Sequence, residues 1–183
     1  MPDDLQSNFD PLAAERAQRE SLGQSPAPFP SSSLEGEDVV AILNELIHAC
    51  RDGERGFQAS AEHANAGELR SFLTRRASDC ATAATELEQA VRSYGAAPPE
   101  GGTVAGALHR GWLAIKTALS SNDDKAVLQE CERAEDIAVA QYRSALEKAL
   151  PAGVRALVER QAQGAQRNHD EVKAMRDRYA GTA

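Results

Sequence analysis

The sequence predicts an all-α fold, a bundle of four long helices, from three observations. Of the 183 residues, 42% are hydrophobic but only 4% are aromatic, and alanine, which supplies much of the apolar share, suits closely packed helices. Four segments repeat apolar residues at alternating steps of three and four, as in a buried helical seam. Breaks rich in Gly and Pro separate the segments. Each segment has about 28 residues and would form a helix of roughly 40 Å, so four matched helices can pack side by side.

Residues 1–34 are predicted to be a tail that does not belong to the bundle. The stretch SPAPFPSSS, residues 25–33, is rich in Pro and Ser, and nothing before it carries enough apolar residues to bury a core. We therefore predict a disordered, acidic and Pro/Ser-rich segment at 1–34 and a bundle at 35–180.

The first two predicted helices meet at a break around Gly67. The first covers about residues 36–66, and its seam is Val40, Leu43, Ile47, Cys50, Glu54, Phe57 and Ala61. The second ends at the loop GAAPPEGG, and its seam is Leu69, Leu73, Arg76, Cys80, Ala83, Leu87, Ala90 and Tyr94. Both seams follow the heptad rhythm of packed helices.

The last two predicted helices begin at residues that favour a helix start. These are the aspartates 123 and 124 for the third helix and Pro151 for the fourth. The third seam contains Leu128, Cys131, Glu135, Ala138, Tyr142 and Ala145. The fourth contains Val154, Val158, Gln161, Ala165, Asn168, Val172, Met175 and Tyr179.

An additional helix is predicted at residues 103–120, between the second and third helices. Val104, Leu108, Trp112, Ile115 and Leu119 give this segment one apolar stripe. It would be about 27 Å long, shorter than the bundle helices and longer than a tight turn. We interpret it as a crossover that runs along the bundle, so that helices 2 and 3 are parallel as in ferritin-like folds.

Inward polar residues of all four helices are predicted to meet in one layer at mid-height. A rise of 1.5 Å per residue places Glu54, Arg76, Glu135 and Asn168 at about 25–28 Å above the base if helices 1 and 4 rise and helices 2 and 3 descend. The predicted buried layer contains Glu54, Arg76, Glu135, Gln161 and Asn168.

Two interpretations of this layer stay open. In the first, Arg76 satisfies both Glu54 and Glu135, and the two amides complete a purely structural network that fixes helix register. In the second, the layer binds a single divalent metal such as iron. The candidate ligands would be Glu54, Asp79, Glu132, Glu135 and His169. A complete di-iron site is not expected, because the second helix has no histidine and the fourth offers Gln166-x-x-His169 where Glu-x-x-His is required.

Composition argues against several classes of partner. The formal net charge of −8 opposes nucleic-acid binding, which requires a basic face. No apolar run approaches the roughly 20 residues that span a bilayer, and the acidic start MPDDLQSNFD does not have the pattern of a signal peptide. Three cysteines without CxxC spacing indicate neither a disulfide framework nor a zinc ribbon. A cytoplasmic location is therefore expected.

Three phrases resemble a known family: CRDGERGF in helix 1, VAGALHRGW in the crossover and LQECERAEDIAVAQYRSALE in helix 3. Together they are similar to a bacterial ferritin-like four-helix-bundle family catalogued as a domain of unknown function, over about residues 36–178. The resemblance implies the ferritin-like fold and a bacterial, cytoplasmic setting, but no activity. We assign no catalytic residues. We expect a non-enzymatic, stress-related bundle that acts through homo-oligomeric assembly or a protein partner, the alternative being a metal-handling protein or oxidoreductase.

Overall fold

The computed structural model describes residues 34–100 and 123–180, which form four α-helices and contain no strand. These are α1 (Gly36–His63), α2 (Gly67–Ser93), α3 (Asp124–Leu146) and α4 (Ala152–Ala180). The predicted all-α fold is confirmed. The predicted crossover helix and residues 1–33 lie outside the described ranges.

Contacts at the two ends of the bundle fix the direction of each helix. At the upper end, the Asp124 carboxylate accepts hydrogen bonds from the backbone N–H groups of Asn65 (3.0 Å) and Ala66 (3.2 Å), so α3 begins where α1 turns into α2. At the lower end, Leu34 N–H donates to the Ala149 carbonyl at 3.1 Å. Helices α2 and α3 therefore descend in parallel, as predicted.

Local chemistry sets where the helices begin and end. Asp123 caps α3, because its side chain accepts the Lys125 N–H at 2.9 Å. Helix α2 has no side-chain cap of its own at Ala66, and the carboxylate of Asp124 satisfies that N–H from another helix. Below α2, Gly95 adopts φ 75°, the left-handed conformation that commonly ends a helix.

The apolar core divides into an upper and a lower cluster. The largest members of the upper cluster include Phe57, Leu69, Phe72, Leu73, Leu128 and Val172. Those of the lower cluster include Leu43, Ile47, Leu87, Val91, Tyr142 and Val158. Three buried polar residues lie near the boundary between the two clusters. Glu135 comes between the clusters in sequence, Arg76 directly precedes the last buried upper-cluster residue of α2, and Gln161 precedes the last buried lower-cluster residue of α4. The middle of the bundle is therefore where polar chemistry is concentrated.

Candidate functional site

A cavity of about 400 Å³ lies at mid-height and is lined by residues of all four helices. Its buried lining includes Cys50, Phe57, Arg76, Glu135, Tyr142 and Gln161. The exposed members of the lining belong to α2 and α4, for example Asp79 and Glu171, so the cavity opens between these two helices. Its volume is in the range of small-molecule sites in proteins.

Glu135 is the deepest carboxyl group of the cavity. Only 5% of the residue is exposed, and no described residue forms a hydrogen bond or a close ion pair with it. Burial raises the pKa of Glu135 to about 7, although the charges of Arg76 and His169 lower it, while Asp79 raises it. The carboxyl group is thus poised between its neutral and charged forms near neutral pH.

Arg76 lies beside the cavity, but its contacts are directed away from Glu135. One terminal nitrogen binds Asp79 at 2.8 Å. The other donates to the Asn168 amide oxygen and lies 3.6 Å from Glu171. The predicted pairing of Arg76 with Glu54 and Glu135 is therefore wrong. Asp79 lies one turn further along the same helix, and Asn168 and Glu171 lie on the side of α4 that faces α2. The guanidinium therefore binds these residues instead of the two predicted glutamates.

A chain of hydrogen bonds connects the four helices across the cavity wall. The Tyr142 hydroxyl donates to the Gln161 side-chain oxygen at 3.0 Å. Because this hydroxyl has one proton, the Cys50 thiol at 3.2 Å is the donor to Tyr142. The Gln161 amide then donates to the Ala83 carbonyl (3.2 Å) and to Glu86 (2.8 Å). Gln161 is thus buried in the middle layer, but its side chain forms hydrogen bonds with Tyr142 and with two acceptors on α2, and none with Glu135.

The cysteines near the cavity are buried thiols with weak acidity. Burial raises the pKa of Cys50 to about 11 and that of Cys131 to about 12. Burial also raises the pKa of Cys80, which lines the cavity. Since the thiolate is the reactive form, none of the three has the character of a nucleophile.

Glu54 does not belong to the buried layer, and its predicted position is wrong. Its side chain is 30% exposed and pairs with Arg51 at 2.8 Å on the outer side of α1. Around Glu54 the buried seam of α1 passes through Cys50, Gly53 and Phe57. These residues are spaced three and then four apart, whereas the predicted seam has spacings of four and then three. Because one residue corresponds to about 100° around a helix, this difference turns Glu54 out of the core.

The five candidate metal ligands are not gathered at one point. Glu132 pairs with Arg176, and the His169 ring lies 3.0 Å from Asp136 and 3.1 Å from Asp170. Asp79 pairs with Arg76, and Glu54 is on another face. Within the two described ranges, no three His, Cys, Asp or Glu side chains are grouped as metal ligands. The donor set therefore does not fit the di-metal centre associated with ferritin-like folds.

Two features of the cavity were not predicted from the sequence. The first is the hydrogen bond between Cys50 and Tyr142; both lie on predicted seams, and their heights could have been compared as those of the acidic residues were. The second is Gly53, where an added Cβ would lie 3.0 Å from the Cys80 sulfur. A glycine within a helical seam indicates a close approach between helices, and this signal was present in the sequence.

The order and directions of the helices define a ferritin-like four-helix bundle. Dps1 from Mycobacterium smegmatis, solved as a mutant, superposes with a TM-score of 0.61 over 76% of this chain and 95% of that chain, with 14% sequence identity. At this identity the similarity shows the fold alone. The chain belongs to the family described as domain of unknown function DUF2383, which matches residues 38–148.

Two further results concern curated relatives and membrane-spanning helices. No curated protein matches the sequence. Among the helices of the described ranges, none combines the length and the apolar character that crossing a bilayer requires.

Proposed function

We propose that the chain is a non-enzymatic binding protein of the ferritin-like class and that the central cavity is its binding site. The protein would act by holding a partner molecule within the bundle, as a carrier or a sensor does, and not by turning over a substrate.

One observation carries this proposal: Glu135 is buried, faces the cavity and has no hydrogen-bond partner among the described residues. A buried charged group without a partner is expensive, and buried polar groups in native proteins are nearly always satisfied. A bound molecule with a hydrogen-bond donor would satisfy the carboxyl group and fill the space beside it. Strongly perturbed pKa values in a cavity are also typical of functional sites.

The neighbours of Glu135 favour binding over catalysis. Catalysis by a carboxyl group of this pKa requires a nucleophile, a metal or another acid or base close by. The thiols of Cys50 and Cys80 remain protonated because burial raises their pKa. The Tyr142 hydroxyl, whose pKa burial also raises, is used in a structural hydrogen bond. The His169 ring, which attracts Glu135 electrostatically, lies against two other carboxylates, Asp136 at 3.0 Å and Asp170 at 3.1 Å.

The alternative is a metal-handling protein or oxidoreductase with a reduced ligand set. It draws support from the mid-bundle position of Glu135 and from the electrostatic attraction between Glu135 and His169. In this alternative, Glu135 and Asp79 would need to rotate toward a common iron or manganese ion, and Arg76 would need to release Asp79.

Native mass spectrometry combined with elemental analysis tests the proposal. The full chain, purified without chelator or affinity metal, is incubated with a protein-free extract of bacterial metabolites. We expect a small organic adduct on the wild type and a metal content well below one ion per chain. Ala138→Leu is the control, because Ala138 lines the cavity and a larger side chain fills it without changing any charge.

Two results would overturn the proposal. Identical adducts on the wild type and on Ala138→Leu would show that binding takes place outside the cavity. Iron, manganese or zinc at one or two ions per chain, lost in Glu135→Ala and accompanied by iron-dependent oxygen consumption, would establish the metal alternative.

A further inference from the structure

We infer that the cavity binds a small organic amine in its ammonium form, with an apolar body of a few carbon atoms. This inference rests on the proposed function and specifies the chemical class of the ligand. Glu135 at the floor of the cavity would accept the hydrogen bonds of the ammonium group.

The contacts of Arg76 leave Glu135 available for such a ligand. Both terminal nitrogens of Arg76 are engaged by Asp79, Asn168 and Glu171. The protein's own cation therefore does not form an ion pair with Glu135 within the described residues. A ligand cation can take this position without displacing an existing contact, and charge-assisted hydrogen bonds are the strong ones.

The charges around the cavity also favour a cation over an anion. Four carboxyl groups line it, against two guanidinium groups. The carboxyl groups are Asp79, Glu86, Glu135 and Glu171, and the guanidinium groups are Arg76 and Arg167. Asp79 and Glu171 lie beside Arg76, and Glu86 pairs with Arg160 at 2.9 Å. Glu135 is therefore the lining carboxyl group that remains to attract a positive ligand.

The walls around Glu135 match a short apolar body. Ala49, Ala134 and Ala138 expose small apolar side chains to the cavity, and Phe57 and Tyr142 add two aromatic rings. Aromatic rings attract ammonium groups through their negative faces. The chemistry of the floor and the walls together fits a molecule with one cationic end and one apolar end.

Binding should depend on pH through Glu135. The charged and titratable groups around it are Arg76 and Asp79 on α2, His169 on α4, the Tyr142 hydroxyl on α3 and the thiols Cys50, Cys80 and Cys131. The pKa of Glu135 is about 7, so its charged fraction, and with it the affinity for an ammonium ion, should increase about tenfold between pH 6 and pH 8.

The experiment is an NMR titration of the full ¹⁵N-labelled chain with three ligands of similar size: n-butylammonium, 1-butanol and butyrate. We expect n-butylammonium to bind with at least about tenfold higher affinity than 1-butanol at pH 8, and butyrate to bind least. Glu135→Gln should reduce the affinity for n-butylammonium about tenfold and leave that for 1-butanol unchanged. Glu54→Gln, on another face, should change neither.

A second variant separates ligand binding from any effect of Glu135→Gln on folding. Ala138→Leu keeps the carboxyl group but fills the cavity, and it should abolish the shifts caused by n-butylammonium. Equal affinities for n-butylammonium and 1-butanol would overturn the amine inference but leave the cavity as a binding site. Unchanged n-butylammonium affinity in Glu135→Gln, or in Ala138→Leu, would also overturn the inference, because the amine would then bind elsewhere.

Discussion

The central cavity and the groove on the outer side of α1 and α2 have similar volumes, but they differ in whether their glutamate is paired with a cation. The groove measures about 420 Å³ and the central cavity about 400 Å³. Each contains one glutamate that the heptad pattern predicts to face inward. In the groove, Glu54 is partly exposed and paired with Arg51, which also binds Glu88 at 2.7 Å. In the cavity, Glu135 is buried and lacks a close ion pair among the described residues.

The difference shows that the chemistry of a carboxyl group in this bundle is decided by its rotation about the helix axis. Glu54 is one residue away from the buried position Gly53, and that single step brings it to solvent and to an arginine of its own helix. Glu135 is at a buried position of its own helix, where it meets neither bulk solvent nor a paired arginine. Variants at both regions can test this contrast.

The largest effect is expected for Arg76→Ala. Arg76 is buried, joins α2 to α4 through Asn168 and Glu171, and supplies the positive charge that attracts Glu135. Its loss should lower the free energy of unfolding by roughly 3–4 kcal/mol at pH 7, as for other broken buried charge networks. Urea denaturation measures this change.

The matched control for Arg76→Ala is Arg75→Ala. The guanidinium of Arg75 lies over the same Phe72 ring, at 5.8 Å against 5.5 Å for Arg76, but Arg75 is exposed. Arg75→Ala should lower the free energy of unfolding by less than about 1 kcal/mol. Equal losses for the two variants would show that the central network contributes little.

A somewhat smaller effect, of opposite sign, is expected for Glu135→Gln. The pKa of Glu135 is raised from 4.5 to about 7 in the folded protein, so the unfolded chain releases this proton first as pH rises. The carboxyl group therefore imposes no penalty below pH 4.5, and its penalty grows to its full size above pH 7. Glu135→Gln removes the charge and should be more stable than the wild type by about 3 kcal/mol at pH 8, with no difference near pH 4.

Denaturation curves at a series of pH values measure this crossover. If the variant is less stable than the wild type at pH 8, the carboxylate has a stabilising partner and is not the uncompensated group described above.

A change of about 1–2 kcal/mol is expected between two glycine variants of the cavity wall. At Gly53 an added Cβ would lie 3.0 Å from the Cys80 sulfur, whereas at Gly164 the nearest contact is 3.9 Å from the flexible end of Arg167. Both replacements gain helix propensity of about 1 kcal/mol, but Gly53→Ala also crowds the core. Thermal unfolding should therefore rank Gly164→Ala above Gly53→Ala, and Cys80→Ala should reduce the gap. The reverse ranking would contradict the close approach of α1 and α2.

The smallest effect is expected for Glu54→Gln. The Arg51–Glu54 pair is partly exposed on both sides, and such pairs contribute up to about 1 kcal/mol and weaken in salt. The expected loss in the free energy of unfolding is about 0.5 kcal/mol. A loss above about 2 kcal/mol would mean that Glu54 has a buried role after all.

The fold was predictable because its signals repeat along each helix. The predicted starts near 36, after the break around Gly67, at 123–124 and at 151 lie within two residues of the observed helices or their caps, since Gly and Pro breaks and aspartate caps are local signals. The parallel course of α2 and α3 followed from the length of the connection between them, because a segment of that size is too long for a turn.

The site was predictable only in part, because side-chain contacts are not periodic. The mid-height meeting of Arg76, Glu135 and Asn168 follows from rise per residue alone, and all three line the cavity together with Gln161. Which of them bind each other depends on rotation about each axis, and a 3.5-residue repeat cannot be told from a 3.6-residue helix over a few turns. That small mismatch is enough to misplace Glu54.

The most direct test of the account is the titration of Glu135 itself, by ¹³C NMR of the glutamate side-chain carboxyl groups in the full chain. Comparison with Glu135→Gln assigns the resonance. A midpoint near pH 7 is the predicted result, because burial raises the pKa of this carboxyl group and no described residue pairs with it. A midpoint at or below the ordinary value of 4.5 would contradict the account, since Glu135 would then be a compensated carboxylate and the cavity would have no need of a ligand.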